Sequence, residues 1–198
     1  IRELMLKKIG LSMLVQWDDF RSGFISLKNL GDFMRKNLRH RRLEDLPVPF
    51  YVAATNFIDG NQHIFKTGDI VDAVLAASSI PVLFLPMMIN DTPFVDGGLS
   101  NNLPAEPFEG RKHEVIAVHV NAIPPFDEKS GMAQTLDRTL HLSFMHTVKK
   151  SAEGCLLYIE PPALHRFGIF DVHKLSEIYQ TGYTYTTQIL KDQIFIDP

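Results

Sequence analysis

The chain has 198 residues, of which 45% are hydrophobic and 22% charged, and this globular composition excludes disordered and collagen-like proteins. Proteins that bind nucleic acids normally carry an excess of basic residues, whereas this chain has a net charge of −3, so we expect no nucleic-acid partner. The single cysteine, Cys155, excludes an internal disulfide and fits a reducing interior, either cytoplasmic or peripheral to a membrane. Scattered histidines lack metal-ligand spacing, so we predict no metal and no other cofactor.

The first third of the chain predicts two helices and a β-hairpin. Apolar residues at helical spacing predict a helix over 1–14, a loop follows at 17–25, and Ser26 is the expected N-cap of a helix through Leu38. Basic residues at 35, 36 and 39–42 indicate either the solvated end of this helix or a patch that attracts phosphate. An apolar segment at 50–56 predicts a buried strand, and Asp59-Gly60 predicts a turn into a second strand at about 62–66.

The rest of the chain alternates helices with strands. Asp69 begins a predicted helix that stops at Pro81, and an apolar extended stretch, a turn at 90–91 and a short strand lead into a glycine turn. Further patterns predict a strand at 113–120, a helix at 130–150, a short strand closed by two prolines at 161–162, and a helix at 171–192. This order predicts an α/β fold, layered as α/β/α with a mainly parallel sheet.

One strand end carries a carboxylate directly before two glycines, at Asp96, Gly97 and Gly98. In α/β folds, active groups gather at the carboxyl ends of strands, and glycines let the backbone turn sharply there. The same pattern also suits a turn residue that accepts hydrogen bonds from its own backbone. Taken alone, the motif leaves both interpretations open.

The segment AVLAASSIPVLFLPMMINDTPFVDGGLSNNLP at 73–104 resembles the patatin-like phospholipase family. Its matching parts are the helix ending in Ala-Ser-Ser-Ile-Pro, the Phe-x-Pro passage at 84–86, the Asp-Gly-Gly motif and the downstream Asn-Leu-Pro at 102–104. Similar segments at 22–34 and 46–61, together with the closing helix, extend the resemblance over nearly the whole chain. We therefore interpret 1–198 as a patatin-like hydrolase domain.

The resemblance implies a lipid acyl hydrolase that uses a Ser–Asp dyad without a catalytic histidine. Asp96 is then the dyad carboxylate, and Gly97 and Gly98 support it. A serine hydroxyl is a weak nucleophile until a positioned base accepts its proton. Partial desolvation at the strand tip would raise the basicity of the acid, and an oxyanion hole would supply much of the rate.

The nucleophile elbow Gly-x-Ser-x-Gly does not occur in this sequence. Only Ser12 and Ser100 have a glycine two residues earlier, and neither has the second glycine. We therefore expect the amino-terminal strand, the glycine loop and the nucleophile elbow of the domain to lie upstream of Ile1. By itself, the printed chain is expected to be inactive.

Three functions remain open at this stage. The first is hydrolysis of lipid or phospholipid esters, with peripheral membrane contact and an undefined oligomeric state. The second is a patatin-like scaffold without its serine that binds lipid or a protein. The third is an unrelated α/β protein whose Asp96 motif holds phosphate or Mg²⁺, with Asp91 as the nearest second acid. Phe84, Met87 and Met88 are expected either in the core or along an acyl-chain pocket. Asn102 is expected either to anchor the turn after Asp96 or to contact the substrate.

Overall fold

The computed structural model describes residues 16–17, 25–126, 131–168 and 171–194. The chain divides into two compact units, residues 1–101 and 102–198. The predicted helix at 1–14 lies outside the described residues, as does most of the predicted loop at 17–25. Strands β1 (Gln16–Trp17) and β2 (Ile25–Ser26) form a small antiparallel pair.

Helix α1 (Lys28–Asn37) and helix α2 (Ile70–Ala77) pack against each other in the first unit. Ser26 belongs to β2, so its predicted role as N-cap is wrong, and Leu27 precedes α1 without a capping side chain. Asp69 caps α2 as predicted, because its carboxylate accepts from the backbone amides of Val71 and Asp72 at 2.8 and 3.0 Å.

A four-stranded sheet forms the centre of the first unit, in the order β4-β3-β6-β5. Its strands are β3 (Val52–Asn56), β4 (Gln62–Phe65), β5 (Met87–Ile89) and β6 (Thr92–Asp96), and every pair is antiparallel. The turn between β5 and β6 is Asn90-Asp91, with φ of 49° and 59°, the conformation that suits a tight hairpin.

The core of the first unit lies between α2 and this sheet. Ala54, Ala76 and Phe94 form one buried cluster, against which Met87 packs. A second buried cluster joins Leu43, Val52, Ile70 and Ala73. Small alanines on both elements let the helix approach the strands closely, which fixes the sheet that carries the acidic turn.

The second unit contains a parallel pair, β7 (Ile116–Val118) and β8 (Leu157–Ile159). Helix α3 (Met132–Ala152) lies between them in the sequence, and helix α4 (Leu175–Ile194) follows. Leu103, Ala117 and Val148 form its buried cluster. These elements confirm the predicted order of strands and helices, with boundaries shifted by a few residues.

The α/β composition is confirmed, but a mainly parallel sheet is not found in the described residues. The connections β3–β4 and β5–β6 are short hairpins, and a hairpin can join only antiparallel neighbours. Parallel pairing needs a long crossover, and in the described residues only β7 and β8 pair in this way, across the connection that contains α3. The prediction of a mainly parallel sheet rested on the apolar character of the strands, whereas the short connections between them indicate antiparallel pairing.

Candidate active site at the end of strand β6

Strand β6 carries Asp96 as its last residue, and neighbouring backbone holds it there. Ala54 of β3 lies opposite Asp96 in the antiparallel register. The backbone amide of Asp96 donates to the carbonyl of Ser79, just after α2, at 3.0 Å. Ser79 is itself buried, and its hydroxyl donates to the Leu75 carbonyl at 2.7 Å. The position of the acid is thus set by a strand on one side and by the end of a helix on the other.

Gly97 fills a space that has no room for a side chain. A Cβ at this position would lie 2.3 Å from the carbonyl oxygen of Ala53 and 2.8 Å from its carbonyl carbon. Both atoms belong to the backbone of β3, so they cannot move aside as a flexible side chain would. The glycine predicted to support the motif is therefore required by a close approach of two backbones.

The carboxyl group of Asp96 is half-buried and accepts a hydrogen bond from the Gly98 amide at 2.7 Å. Burial raises the pKa of Asp96, and the Gly98 amide opposes this effect in part. Among the described residues, no Lys, Arg or His forms an ion pair with this carboxylate. A desolvated carboxylate without a cation is a stronger base than an exposed one, so it is suited to accept a proton.

The hydroxyl groups of Thr55 and Ser100 hold the turn that follows Asp96. The Thr55 hydroxyl lies 2.9 Å from both the Asp96 carbonyl oxygen and the Ser100 hydroxyl, and Thr55 is fully buried. The Ser100 hydroxyl donates to the Gly97 carbonyl at 3.2 Å. The Ser100 hydroxyl is therefore bonded to Thr55 and to the backbone of Gly97, not to the Asp96 carboxylate. This agrees with the absence of the nucleophile pattern around Ser100.

The sequence predicted Asp96, Gly97 and Gly98 as one motif. It did not predict that Thr55 bonds to the same turn. A threonine is the one hydroxyl residue in the apolar run of β3, and a buried polar group needs a partner. That signal was available in the sequence. Ser12, the other serine considered, lies outside the described residues.

The second unit holds a separate polar cluster around His119. Its Nδ1 lies 2.7 Å from Oε1 of Glu160, and its Nε2 lies 3.3 Å from the amide nitrogen of Asn102. His119 is buried with only 3% of its surface exposed, and it is satisfied on both ring nitrogens. The anchoring of the Asp96 turn by Asn102 stays a prediction. In the described part of the chain, no three His, Cys, Asp or Glu residues are placed to hold a metal ion.

The apolar residues considered for an acyl pocket have different environments. Met87 packs against the core cluster of Ala54, Ala76 and Phe94, whereas Met88 is 58% exposed. The stretch that contains them was predicted to be extended, but it begins with a turn at 81–83, where Val82 is 81% exposed and has a φ of 73°. Within the described residues, no helix is both long enough and apolar enough to cross a bilayer.

Comparison with known proteins assigns the family. The profile of the patatin-like phospholipase family matches residues 9–109, which includes α1, the four-stranded sheet and the Asp96 turn. The chain therefore belongs to the patatin-like phospholipase family.

Its curated relatives include proteins named lysophospholipase. The Lysophospholipase NTE1 of Kluyveromyces lactis is 26% identical over 184 residues, covering 79% of this chain and 13% of the relative. The Lysophospholipase nte1 of Aspergillus terreus is 28% identical over 191 residues, covering 82% and 12%. An uncharacterized NTE family protein of Mycobacterium tuberculosis is 43% identical over 63 residues, covering 32% and 11%. The chain thus spans about an eighth of the length of the fungal relatives.

Proposed function

We propose that this chain is part of a lipid acyl hydrolase that cleaves the carboxylic ester of a lysophospholipid, with Asp96 as the base of a Ser–Asp dyad. The observation that carries the proposal is the half-buried Asp96 carboxylate, raised in pKa and without an ion pair to any described residue. Family membership supports the hydrolase class, and the names of the fungal relatives support the lysophospholipid substrate.

In the proposed reaction, Asp96 takes the proton of a serine hydroxyl as its oxygen attacks the ester carbonyl. Backbone amides stabilise the oxyanion, and the protonated acid returns the proton to the departing glycerol oxygen. Asp96 then takes a proton from water, whose oxygen attacks the acyl-enzyme, and returns that proton to the serine oxygen as the fatty acid is released. The products are a free fatty acid and a deacylated glycerophospho-alcohol.

The serine is proposed to come from outside these 198 residues, because none of their serines has the Gly-x-Ser-x-Gly pattern. In this proposal, residues 1–198 belong to a hydrolase domain whose amino-terminal strand, glycine loop and elbow are supplied elsewhere in the intact protein. The layered α/β/α arrangement with a mainly parallel sheet is proposed for that complete domain only. The parallel pairing of β7 with β8 supports this proposal.

The test uses the intact protein with lysophosphatidylcholine, and fatty acid release is measured. Asp96→Asn keeps the shape and the bond from the Gly98 amide but removes the base, so we expect hydrolysis to fall by roughly 10²–10⁴-fold. The matched control is Asp91→Asn, since Asp91 is exposed in a turn where asparagine is equally suited. That control should keep full activity.

Two results would contradict the proposal. Wild-type activity in Asp96→Asn would remove Asp96 from the role of base. If the intact wild-type protein releases no fatty acid and is not labelled by a fluorophosphonate, there is no reactive serine, and the scaffold function that binds lipid or protein replaces the enzyme. A thermal midpoint of Asp96→Asn that is equal to or higher than that of the control would show that lost activity does not reflect unfolding.

A further inference from the structure

Residues 35–42, here called the basic segment, concentrate positive charge in a chain with a net charge of −3. They read Arg-Lys-Asn-Leu-Arg-His-Arg-Arg, with five Lys or Arg and no acid. The segment starts in the last turn of α1 and continues as extended chain, and every residue from 36 to 42 is exposed. This location fits the phosphate-attracting patch that the sequence left open.

Backbone hydrogen bonds fix the basic segment to the start of α2. The Ile70 amide donates to the Arg41 carbonyl at 2.9 Å, and the Leu43 amide donates to the Gly68 carbonyl at 2.9 Å. Arg42 and Asp69 form an isolated β-bridge. The charges are therefore carried on an ordered support, so binding to a charged surface orders little additional backbone.

Three of the five cations have no ionic partner among the described residues. Arg35 pairs with Asp72 at 2.6 Å, and Arg42 pairs with Glu44 at 2.7 Å. Lys36, Arg39 and Arg41 form no such pair in the part of the chain that the structure describes. These three side chains are the ones available to an external anion.

We propose that the basic segment docks the protein on the surface of an anionic phospholipid bilayer. Clusters of Lys and Arg bind acidic headgroups, and Leu38, which is 38% exposed between them, can enter the headgroup region. The segment contains no Phe, Tyr or Trp on which bases would stack, which argues against single-stranded nucleic acid. The choice of a membrane also rests on the proposed lipid hydrolase function.

The test is flotation of the intact protein with vesicles of phosphatidylcholine, with and without roughly a quarter of phosphatidylserine. The variant replaces Lys36, Arg39 and Arg41 by glutamine. We expect binding that requires phosphatidylserine, weakens from about 0.1 M to about 1 M salt, and falls on the order of a hundredfold in the variant. The control replaces Lys149, Lys150 and Lys191 by glutamine, which removes the same charge from exposed positions of α3 and α4.

Equal binding by wild type and variant, or equal losses in variant and control, would overturn the docking role of the basic segment. Tighter binding to single-stranded RNA than to the vesicles would overturn the membrane assignment. Loss of vesicle binding in inorganic phosphate, but not in chloride of equal ionic strength, would replace the surface by a discrete phosphate site. Flotation requires no catalysis, so it tests membrane docking even if the protein releases no fatty acid. Absence of fatty acid release would count against the proposed function alone.

Discussion

Replacing Gly97 by alanine should destabilise the first unit by roughly 3 kcal/mol. The new Cβ would lie 2.3 Å from the Ala53 carbonyl oxygen, whereas real Cβ contacts under 3.0 Å essentially do not occur. The two backbones must therefore separate by roughly 0.7 Å or more, because no flexible side chain can absorb the overlap. Overpacking costs about 1–3 kcal/mol, and a weakened hydrogen bond between β3 and β6 adds about 1 kcal/mol.

The matched control is Gly60→Ala in the β3–β4 turn. Gly60 has a φ of +74°, and a Cβ there meets nothing within 4 Å, so this variant reports backbone strain alone, about 1–2 kcal/mol. Thermal and urea unfolding followed by circular dichroism would compare the two variants. Gly97→Ala should also reduce ester hydrolysis, since a shift of about 1 Å can cost about 10²-fold in rate. If Gly97→Ala is no less stable than Gly60→Ala, the close backbone approach does not restrain the acid.

Val82→Gly should raise the free energy of unfolding by about 1 kcal/mol, because Val82 is exposed at a φ of 73° that disfavours β-branched residues; a lower thermal midpoint would contradict this. Asp69→Ala should lower the free energy of unfolding by about 1 kcal/mol through loss of the α2 cap. Asp69→Asn should stay close to the wild-type value because asparagine also caps helices, and equal losses in both variants would exclude capping. The raised pKa of Asp96 means that the folded state holds this proton more tightly, so its contribution to stability falls as pH rises from the ordinary value of 3.8 through the raised one. Asp96→Asn should therefore gain thermal stability relative to wild type between about pH 3 and pH 7, and a difference that is independent of pH would refute the shift.

Local chemistry predicted much of this fold. Asp69 was expected to begin a helix because its side chain can accept from the first free amides, and it does so. Asp59-Gly60 and Asn90-Asp91 were expected as turns, since both pairs tolerate positive φ, and each joins two antiparallel strands. These signals lie within a few residues of the structure they determine.

Long-range relations were less accessible. Strand direction depends on which segments become neighbours, and the apolar run of β3 suits a parallel or an antiparallel partner equally well. Ser26 has the chemistry of an N-cap, yet pairing with Gln16 places it in a strand. For the candidate site, the motif predicted the acid and its glycines. The sequence also shows that Thr55 in an apolar strand needs a hydrogen-bond partner, but not that this partner is the carbonyl of Asp96, 41 positions away.

The contact between Gly97 and the Ala53 carbonyl has a consequence for how this protein can diversify. The location of the acid is determined by main-chain atoms of β3 and β6 and by the carbonyl of Ser79, and the buried Thr55 hydroxyl is the side-chain group of β3 that bonds to the same turn. Residues that shape the surrounding surface can therefore be exchanged without moving the carboxylate. A scaffold of this kind can acquire new substrate preferences by ordinary substitutions, provided that a hydrogen atom remains the only substituent at position 97.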